Sequence, residues 1–504
     1  MAALDELRTT RLAKLELLKK AGMSAYPAKV PRDHCLKDAK ANFAEYEKSQ
    51  KVVNLAGRIM AIRGQGAILF AVLDDGKATF QAVIKKDVLK PELFELFTIA
   101  VDIGDIISVT GTCFTTQRGE QSILVSSWTM ASKSLLPLPE KWHGLTDPDE
   151  KFRKRYLDFI MTPELRDIFL KKAKFWNVTR QFMNDNGFLE VETPSLETTT
   201  GGAEATPFKT HHNDYDLDVF LRISVGELWQ KRLMAGGFQK TFEIGRVYRN
   251  EGTSPEHAQE FTNMEFYWSY ADYNDGMKLV QEMYRKIATE VFGTTKFTTR
   301  GHSFDLALEW NKIDYAEEIK KQTGVDISSA SEKDMMNKLN DLKVKYDGTN
   351  RERLTDTLWK YCRKNITGPV FLINHPVLVA PLAKSVEGMS APAGKSVVQM
   401  FQPIIAGSEL GRGYSELNDP IDQASRFAEQ QKLIDKGDTE AMMPDHEFVE
   451  MLEHGMPPTC GFGFGERLFA FLIDKPLREV QMFPLMKPKN EPKENSNVSK
   501  NAKK

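Results

Sequence analysis

Charged and aromatic residues alternate on both sides of a polar loop near the middle of this chain. Positions 245 to 267 read GRVYRNEGTSPEHAQEFTNMEFY, and the two alternating runs predict an antiparallel hairpin. Because strand side chains alternate between faces, Arg249 and Glu251 should share one face of the outgoing strand. Four residues should share one face of the return strand: Phe261, Asn263, Glu265 and Tyr267. A solvated surface hairpin is the alternative, but a face that mixes aromatic rings with charges suits a ligand that is partly flat and partly charged.

Two further segments carry charges at spacings that favour a binding site. GSELGRGYSEL supplies Glu409, Arg412, Tyr414 and Glu416, and GFGFGERL sets glycines before Arg467 at the start of a helix. On a strand, residues 412, 414 and 416 share a face, with Arg412 about 13 Å from Glu416. A glycine-rich turn with an arginine is most often a plain strand-to-helix connection, so each segment alone is a weak signal. Together with the predicted hairpin, and in this order along the chain, the two segments are a much more specific signal of a binding site.

The composition is that of an ordinary globular protein, and it argues against several classes. Of 504 residues, 41% are hydrophobic and 27% charged, and no run approaches the ~18 apolar residues of a membrane span. The four cysteines lie far apart, which argues against a disulfide framework or a zinc site and favours a reducing cytosol. The amphipathic N-terminus contains acids and is unlike a signal peptide, so we expect a cytoplasmic protein with no membrane partner. The net charge of −2 predicts that any RNA contact comes from a local surface.

The pattern of elements changes along the chain and predicts several regions. Five short β runs favour a small barrel, for which the OB-fold is the leading candidate. Thr162 and Pro163 predict the start of a long helix that ends near Gly187, and FLEVETPSL predicts a strand after it. We expect a peripheral helical segment at 1–50, the OB-fold domain at 51–135, a proline-rich linker at 136–150, an α/β region at 151–490 with a helical insertion at 300–365, and a disordered tail at 491–504.

Over nearly its whole length the chain resembles the class II lysyl-tRNA synthetases of bacterial type, in the lysine–aspartate–asparagine subclass. The family's first motif, which forms the dimer, resembles GFLEVETPSL; its second resembles FEIGRVYRNEG with HAQEFTNMEFYWSYADY; its third resembles GMPPTCGFGFGERL. GGAEATPFKTHHN and GYSELNDPIDQ are similar to segments typical of the lysine enzymes. The resemblance implies an α+β multidomain fold: an N-terminal OB-fold β-barrel, then a class II catalytic domain built on an antiparallel sheet flanked by helices. It also implies a homodimer that uses ATP to ligate L-lysine to tRNA(Lys) through lysyl-adenylate, releasing pyrophosphate and AMP.

The resemblance assigns roles to residues of these motifs. The catalytic set is Arg249, Glu251, His257 and Arg467. These four also bind ATP, together with Phe261 stacked on the adenine ring. The lysine-binding set is Gly202, Glu227, Arg249, Glu265, Tyr267, Tyr414 and Glu416. A pocket that ends in carboxylates and a phenol selects a cation, whereas the aspartate and asparagine enzymes need a basic or amide-rich pocket. Glu409 and Gln402 are the candidate ligands of Mg²⁺, which bridges the triphosphate.

In the barrel, the resemblance implies contacts with the tRNA anticodon. Phe70 would stack a base, and Gln81 and Glu120 would read base edges. The position of an arginine usual in this barrel holds isoleucine here, and Arg63 follows it as the candidate for that contact. Phe80 is a second aromatic residue that is available for stacking unless it belongs to the core.

The chain departs from the family pattern at several positions. Glu256 stands where a second loop arginine is usual, Arg412 where an asparagine is usual, and Gln402 where a glutamate is usual. The third motif is one residue shorter than usual, and Gly226 replaces a proline. Our hypothesis is a relocation of charge: Arg412 joins the ATP-binding set, while Glu256 turns to solvent or pairs with a nearby cation. The alternative function is a degenerate synthetase that acts as an RNA-binding or regulatory protein.

Overall fold

The computed structural model describes residues 2–139, 145–203, 205–252, 254–346, 348–377, 380–386, 397–436 and 441–488. The chain divides into two compact units, Met1–Arg166 and Asp167–Lys504. The tail predicted at 491–504 lies outside the described residues, as do positions 140–144 of the predicted linker. Within the described ranges, every helix is too short or too polar to cross a membrane.

Five strands form the centre of the first unit: β1 (Val52–Gln65), β2 (Ile68–Asp74), β3 (Thr79–Lys85), β4 (Ile106–Thr115) and β5 (Gln121–Ser132). They close into a barrel in the order β1-β2-β3-β5-β4, because β1 pairs with both β2 and β4. Along β2, Leu69, Ala71 and Leu73 are buried, whereas Phe70 between them lies half-buried on the outward face. The predicted OB-fold barrel is therefore confirmed.

This unit also contains helices, the first four of which contribute side chains to its hydrophobic core. They are α1 (Ala2–Lys20), α2 (Leu36–Ala41), α3 (Phe43–Ser49), α4 (Pro91–Ala100), α5 (Pro148–Arg153) and α6 (Arg155–Met161). Leu18, Leu36 and Phe43 are buried in the same hydrophobic core as the inward residues of the barrel. Phe80 belongs to that core as well, with its ring centre 6.2 Å from that of Phe43. The prediction that the segment 1–50 is peripheral is wrong, because its apolar side chains pack into the core of the barrel.

The second unit is built on a large sheet. Its strands are β6 (Leu189–Glu190), β7 (Leu196–Glu197), β8 (Lys209–His212), β9 (Leu217–Leu221), β10 (Lys240–Tyr248), β11 (Glu260–Ser269), β12 (Lys296–Thr299), β13 (His302–Asp305), β14 (Asn311–Asp314), β15 (Val370–Pro376), β16 (Val397–Ile405), β17 (Ser408–Glu409), β18 (Arg412–Ser415) and β19 (Thr459–Gly465). The main sheet has the order β14-β15-β16-β18-β19-β11-β10-β6, with β17 paired to β16. Its pairings are antiparallel except at the edges, where β14 pairs with β15 and β6 with β10. The predicted antiparallel sheet is confirmed.

Helices flank this sheet. They are α7 (Glu164–Asp185), α8 (Glu227–Ala235), α9 (Tyr273–Ile287), α10 (Tyr315–Thr323), α11 (Glu332–Asp341), α12 (Arg351–Cys362), α13 (Pro420–Asp435), α14 (His446–Glu453) and α15 (Arg467–Leu472), with a π-helical turn at Ala288–Phe292 and 3₁₀ turns at Arg363–Asn365 and Leu477–Val480. Phe175 and Phe182 of α7 pack into one core with Phe266 and Phe462 from the middle of the sheet. The helix predicted from Pro163 onward is thus α7, and it fixes the strands that carry the site.

The strand predicted at FLEVETPSL is interrupted. β6 and β7 are its two ends, each only two residues long. Between them, the backbone N–H of Thr193 donates to the side-chain carboxylate of Glu243 on β10 at 3.0 Å instead of to a backbone carbonyl. Pro194 has no N–H with which to extend the ladder. The prediction of one continuous strand is therefore wrong, because only its two ends are strands.

The predicted hairpin ends earlier than its sequence pattern indicates. β10 stops at Tyr248, so the prediction that Arg249 and Glu251 lie on the outgoing strand is wrong. The reason is a competing contact: the N–H of Asn250 donates to the carbonyl of Thr206 at 2.7 Å. The helical segment expected at 300–365 also differs, because β13 and β14 precede its helices α10, α11 and α12.

Candidate active site

One cavity of about 340 Å³ lies where β11, β18 and β19 meet the loop after β10. It is lined by every residue predicted for the catalytic, lysine, ATP and metal sites: Gly202, Glu227, Arg249, Glu251, His257, Phe261, Glu265, Tyr267, Gln402, Glu409, Arg412, Tyr414, Glu416 and Arg467. The predicted face of β11 supplies its residues as an alternating row. Arg249 and Glu251 reach the same cavity from the loop, although neither lies on a strand.

The glycines of β19 make room for the side chains of the neighbouring strands. Gly461 lies opposite Tyr267 in the β11 register, and Gly463 lies opposite Glu265. A Cβ atom at Gly461 would lie 2.2 Å from Oε1 of Glu416 and 2.6 Å from the Tyr267 ring. The residues that alternate with these glycines, Phe462 and Phe464, are buried in the hydrophobic core. The GFGFG pattern therefore puts bare backbone at the cavity and aromatic rings behind it.

Carboxylates and phenols gather at one part of the cavity, which we call the acidic end: Glu227, Glu265, Glu416, Tyr267 and Tyr414. Glu265 accepts hydrogen bonds from the N–H of Val225 at 2.9 Å, Nδ2 of Asn263 at 3.0 Å and the Tyr267 hydroxyl at 3.2 Å. Burial, together with the charge of Glu227, raises the pKa of Glu265 to about 7 despite these donors. A bound cation would favour the ionised form of this carboxyl.

A lysine of the chain itself lies against the acidic end, and the sequence analysis missed it. Nζ of Lys231 is 2.8 Å from Oε1 of Glu227 and 2.5 Å from Oε2 of Glu416. The Tyr414 hydroxyl also donates to Glu227. Burial raises the pKa of Glu416 well above its usual value, and Lys231 opposes that rise. Because Lys231 follows Glu227 by four residues on α8, the i,i+4 spacing is the sequence signal that predicts their pairing.

Three arginines line another part of the cavity, which we call the basic end: Arg249, Arg412 and Arg467. The guanidinium carbon of Arg249 lies over the Phe261 ring, 5.2 Å from its centre. Nε and Nη2 of Arg249 donate weakly to the carbonyl of Ile223, at 3.4 and 3.3 Å. Burial lowers the pKa of Arg249. The guanidinium therefore covers one face of the aromatic ring that was predicted to stack on adenine.

Glu256 bridges two arginines at the basic end. Its Oε2 is 3.0 Å from Nη2 of Arg467, and its Oε1 pairs with Nη1 of Arg300. Burial disfavours the charged form of Glu256, but Arg467 and Arg300 outweigh burial and hold the pKa of this carboxyl below its usual value. Arg300 lies in the turn between β12 and β13 and also donates to Oγ of Ser408 at 3.1 Å. No sequence signal pointed to Arg300, yet it is one of the cations with which Glu256 pairs.

The candidate metal ligands are held by neighbours that the sequence did not reveal. Glu409 accepts from Nε1 of Trp359 at 2.8 Å and lies 3.9 Å from Nε of Arg363. Gln402 Oε1 lies 2.9 Å from Nε2 of His375, whose pKa burial lowers to about 4, so that the imidazole is neutral. Among the described residues, no group of three or more His, Cys, Asp or Glu side chains is arranged to hold a metal. The donor set fits an Mg²⁺ ion that brings phosphate ligands and takes one protein carboxylate.

The barrel candidates gather on one outward face. Arg63 on β1 lies opposite Phe70 on β2, and β3 brings Gln81 to the same face. Nε2 of Gln81 donates to Oγ of Ser122 at 2.9 Å, and this hydroxyl donates to the carbonyl of Glu120 at 3.2 Å. Both Arg63 and Glu120 are exposed. The four predicted anticodon contacts therefore occupy this face and its rim.

Two regions of the chain match known families. Residues 147–487 match the tRNA synthetases class II (D, K and N), and residues 53–131 match the OB-fold nucleic acid binding domain. The cavity lies within the first match, and the outward face of the barrel lies within the second. The chain therefore belongs to the class II tRNA synthetases of the D, K and N group.

Within that family, similar proteins extend over almost the full chain. The lysine–tRNA ligase of Roseiflexus sp. (strain RS-1) is 42% identical over 493 residues, covering 97% of this chain and 100% of the relative. The lysine–tRNA ligase of Thermotoga maritima is 41% identical over 493 residues, covering 96% of this chain and 97% of the relative. That of Moorella thermoacetica is 41% identical over 496 residues, covering 97% and 100% respectively. The similarity thus spans both the barrel and the region with the cavity.

Proposed function

We propose that this protein is a lysine–tRNA ligase, which uses ATP to join L-lysine to tRNA(Lys) through lysyl-adenylate and releases pyrophosphate and then AMP. The observation that carries the proposal is the presence, in one cavity, of an acidic end with three buried carboxylates and a basic end lined by arginines. A cationic amino acid fits the first and a triphosphate fits the second. The relatives named lysine–tRNA ligase support the same assignment.

The acidic end accounts for a preference for lysine. Glu416, Glu265 and Tyr267 surround the side-chain ammonium, while Glu227 and the carbonyl of Gly202 hold the α-amino group. Gly202 has a φ of +88°, and a Cβ atom there would lie 2.9 Å from Oε2 of Glu227, so this approach requires glycine. Aspartate or asparagine would place a carboxylate or an amide against buried carboxylates, which is unfavourable.

Formation of lysyl-adenylate depends on positioning and charge more than on acid–base catalysis. A carboxylate oxygen of lysine attacks the α-phosphorus, and the bond from that phosphorus to the bridging oxygen breaks as pyrophosphate leaves. Arg249 holds the lysine carboxylate against the α-phosphate, because its planar fork suits pairs of oxygen atoms. His257 and Arg467 contact the departing phosphates, with Arg467 on the γ-phosphate. Such contacts act by orienting the reactants and offsetting negative charge.

ATP binding exchanges existing contacts for new ones. Phe261 stacks on adenine and Glu251 accepts from its amino group. Arg249 exchanges its contact with the Phe261 ring for contacts with the nucleotide. Arg467 exchanges its ion pair with Glu256 for a contact with phosphate. Arg412 supplies a phosphate contact in place of the arginine that is usual at position 256. Mg²⁺ would offset the triphosphate charge, and Glu409 is the carboxylate that would hold it, with Gln402 beside it.

In the second step, a ribose hydroxyl at the 3′ end of tRNA attacks the lysyl carbonyl, and AMP leaves. The barrel selects the tRNA: Phe70 stacks a base, Gln81 and Glu120 read base edges, and Arg63 supplies a cationic contact. The outward positions of these side chains support this role. The alternative of a degenerate RNA-binding protein would need the barrel face but not the cavity.

A homodimer, with α7, β6 and β7 at the interface, is part of the proposal. Large aliphatic side chains are exposed on these elements: Leu170 by 69%, Leu189 by 51% and Leu196 by 50%. Burial of these exposed apolar side chains against a second copy of the chain would stabilise a dimer. Light scattering at micromolar concentration should give the mass of a dimer, and a monomeric mass would count against this part of the proposal.

ATP–pyrophosphate exchange tests the catalytic proposal. With Mg²⁺ and ATP present, the folded protein should exchange labelled pyrophosphate into ATP only when lysine is added. It should then transfer lysine to tRNA(Lys). RNA binding without lysine-stimulated exchange would overturn the proposal and favour the degenerate synthetase.

A further inference from the structure

Lys231 lies behind the wall of the acidic end. Its side chain is only 1% exposed, whereas both of its carboxylate partners line the cavity. Aromatic rings enclose its ammonium, with the centres of Tyr414 and Phe448 at 5.5 and 5.7 Å from Nζ. Burying an ammonium group is unfavourable unless it is paired. The role of Lys231 therefore depends on its two carboxylate partners.

The contacts of Lys231 leave particular carboxylate oxygens available. Nζ pairs with Oε1 of Glu227 and with Oε2 of Glu416. The remaining oxygen of Glu227, Oε2, faces Gly202, and the remaining oxygen of Glu416, Oε1, faces Gly461 across the cavity wall. Each carboxylate therefore presents one oxygen to Lys231 and the other to the pocket.

The charges at the acidic end match a substrate with two ammonium groups. Three carboxylates line this end, and among the described residues Lys231 is the cation in ion-pair contact with them. Within the described part of the chain, the hydrogen-bond donors to Glu265 are the neutral groups named above. When all three carboxyls are ionised, which a bound cation favours, Lys231 offsets one of them and two negative charges remain. Lysine brings two ammonium groups, and its carboxylate is directed to Arg249 in the proposed function.

We infer that Lys231 is a positioning and specificity residue for lysine. It orients Glu227 and Glu416 so that one oxygen of each faces the substrate, and it sets the charge of the pocket to that of a diammonium ligand. This inference rests on the proposed function. Without Lys231, two adjacent buried carboxylates would repel each other and one would take up a proton. The net charge would be kept, but both carboxylates would lose their fixed orientation and one group facing the substrate would be neutral.

Lys231→Met, which keeps most of the unbranched side chain but removes its ammonium group, tests the inference. In lysine-dependent ATP–pyrophosphate exchange, we expect the KM for lysine to rise by about 30-fold or more, since about 30-fold is the lower limit for breaking a buried charged contact. The KM for ATP should stay within about twofold of that of the wild type, since Lys231 does not reach the basic end. KM values do not depend on the fraction of protein that is active, so partial misfolding does not alter this comparison.

Lys240→Met is the matched control. Lys240 is half-buried, whereas Lys231 is fully buried, and its Nζ lies 4.6 Å from the centre of the Trp268 ring and 3.0 Å from the carbonyl of Asn186. It is not among the residues that line the cavity. It should lower the melting temperature and leave the KM for lysine unchanged. If Lys231→Met does not fold, Lys231→Gln is judged by the same two KM values.

The double variant Lys231→Met with Glu416→Gln separates a positioning role from a structural one. If Lys231 acts through Glu416, the two losses in lysine KM overlap, and the double variant should be close to the worse single variant. An unchanged KM for lysine in Lys231→Met and Lys231→Gln, or equal rises in the KM for lysine and ATP, would overturn the inference. Absence of lysine-dependent exchange in the wild type would instead refute the proposed function.

Discussion

The acidic and basic ends of the cavity hold their charges in different ways. At the acidic end, the carboxylates have fixed partners inside the protein: Lys231 for two of them and three neutral donors for Glu265. At the basic end, Arg467 pairs with Glu256, and both side chains remain about 30% exposed. An ion pair that solvent reaches is weak and is easily exchanged for another partner. In the proposed function, the acidic end is therefore organised in advance for lysine, whereas the basic end would exchange its partners on binding ATP.

Glu416→Gln should break the acidic end with the largest effect. The change keeps the shape of the side chain but removes the charge that faces the substrate ammonium in the proposed function. We expect a loss of about 2–4 kcal/mol in lysine binding, with ATP binding barely changed. Titration of lysine and ATP in the exchange assay measures both. Equal losses for the two ligands would mean that Glu416 is a structural residue and that the two ends are not independent.

Arg412→Asn should break the basic end with a slightly smaller effect. Arg412 lines the cavity on β18, and loss of its contact with phosphate should cost about 1.5–3 kcal/mol in the use of ATP. The KM for lysine should change little. Adding Glu256→Arg to this variant should recover part of the loss, because it returns a cation to the same end. Unchanged exchange in Arg412→Asn would refute the relocation of charge.

Phe70→Ala leaves both ends of the cavity intact and tests the barrel. Aminoacylation of tRNA should weaken by about 1–3 kcal/mol in kcat/KM, the value of one base stacked on an aromatic ring. Exchange without tRNA should be the same as in the wild type. Phe80→Ala is the contrasting variant, because Phe80 is buried in the barrel core and its loss should lower the melting temperature. A parallel fall in exchange activity for Phe70→Ala would show that Phe70 is structural.

Glu256→Gln should have the smallest effect, and in the favourable direction. It removes the charge that holds Arg467, so ATP no longer has to displace an ion pair worth about 1 kcal/mol or less. The KM for ATP should fall by about two- to fivefold, while the KM for lysine stays constant. A rise in the KM for ATP would contradict an exchange of partners, and would mean that Glu256 helps to position Arg467 for the phosphates.

Sequence patterns predicted the parts of the site that local geometry determines. The alternation along β11 placed Glu265 and Tyr267 on one face, and the glycines of β19 indicated a close backbone approach; both agree with the cavity. The same alternation failed for Arg249 and Glu251, because Asn250 of the loop bonds to a distant carbonyl instead of continuing the ladder. The alternation of side chains predicts which face of a strand a residue lies on. It does not predict where a long-range hydrogen bond ends the strand.

Residues that act behind the cavity wall could not be predicted in this way. Trp359 reaches Glu409 from α12, fifty positions away in the chain, and Arg300 reaches Glu256 from a separate hairpin. Their partners are decided by how distant elements pack, which no spacing in the sequence encodes. Lys231 is an intermediate case: its helical spacing from Glu227 is visible in the sequence, but its contact with Glu416 arises only in the folded unit.

Amino-acid selectivity in ATP–pyrophosphate exchange is the most direct test of the two-ended cavity. Lysine, aspartate and asparagine would be compared at equal concentration with the same wild-type protein, ATP and Mg²⁺. Because the acidic end presents carboxylates to the incoming side chain, we predict that lysine alone stimulates exchange. Stimulation by aspartate or asparagine at a rate similar to that with lysine would contradict the account.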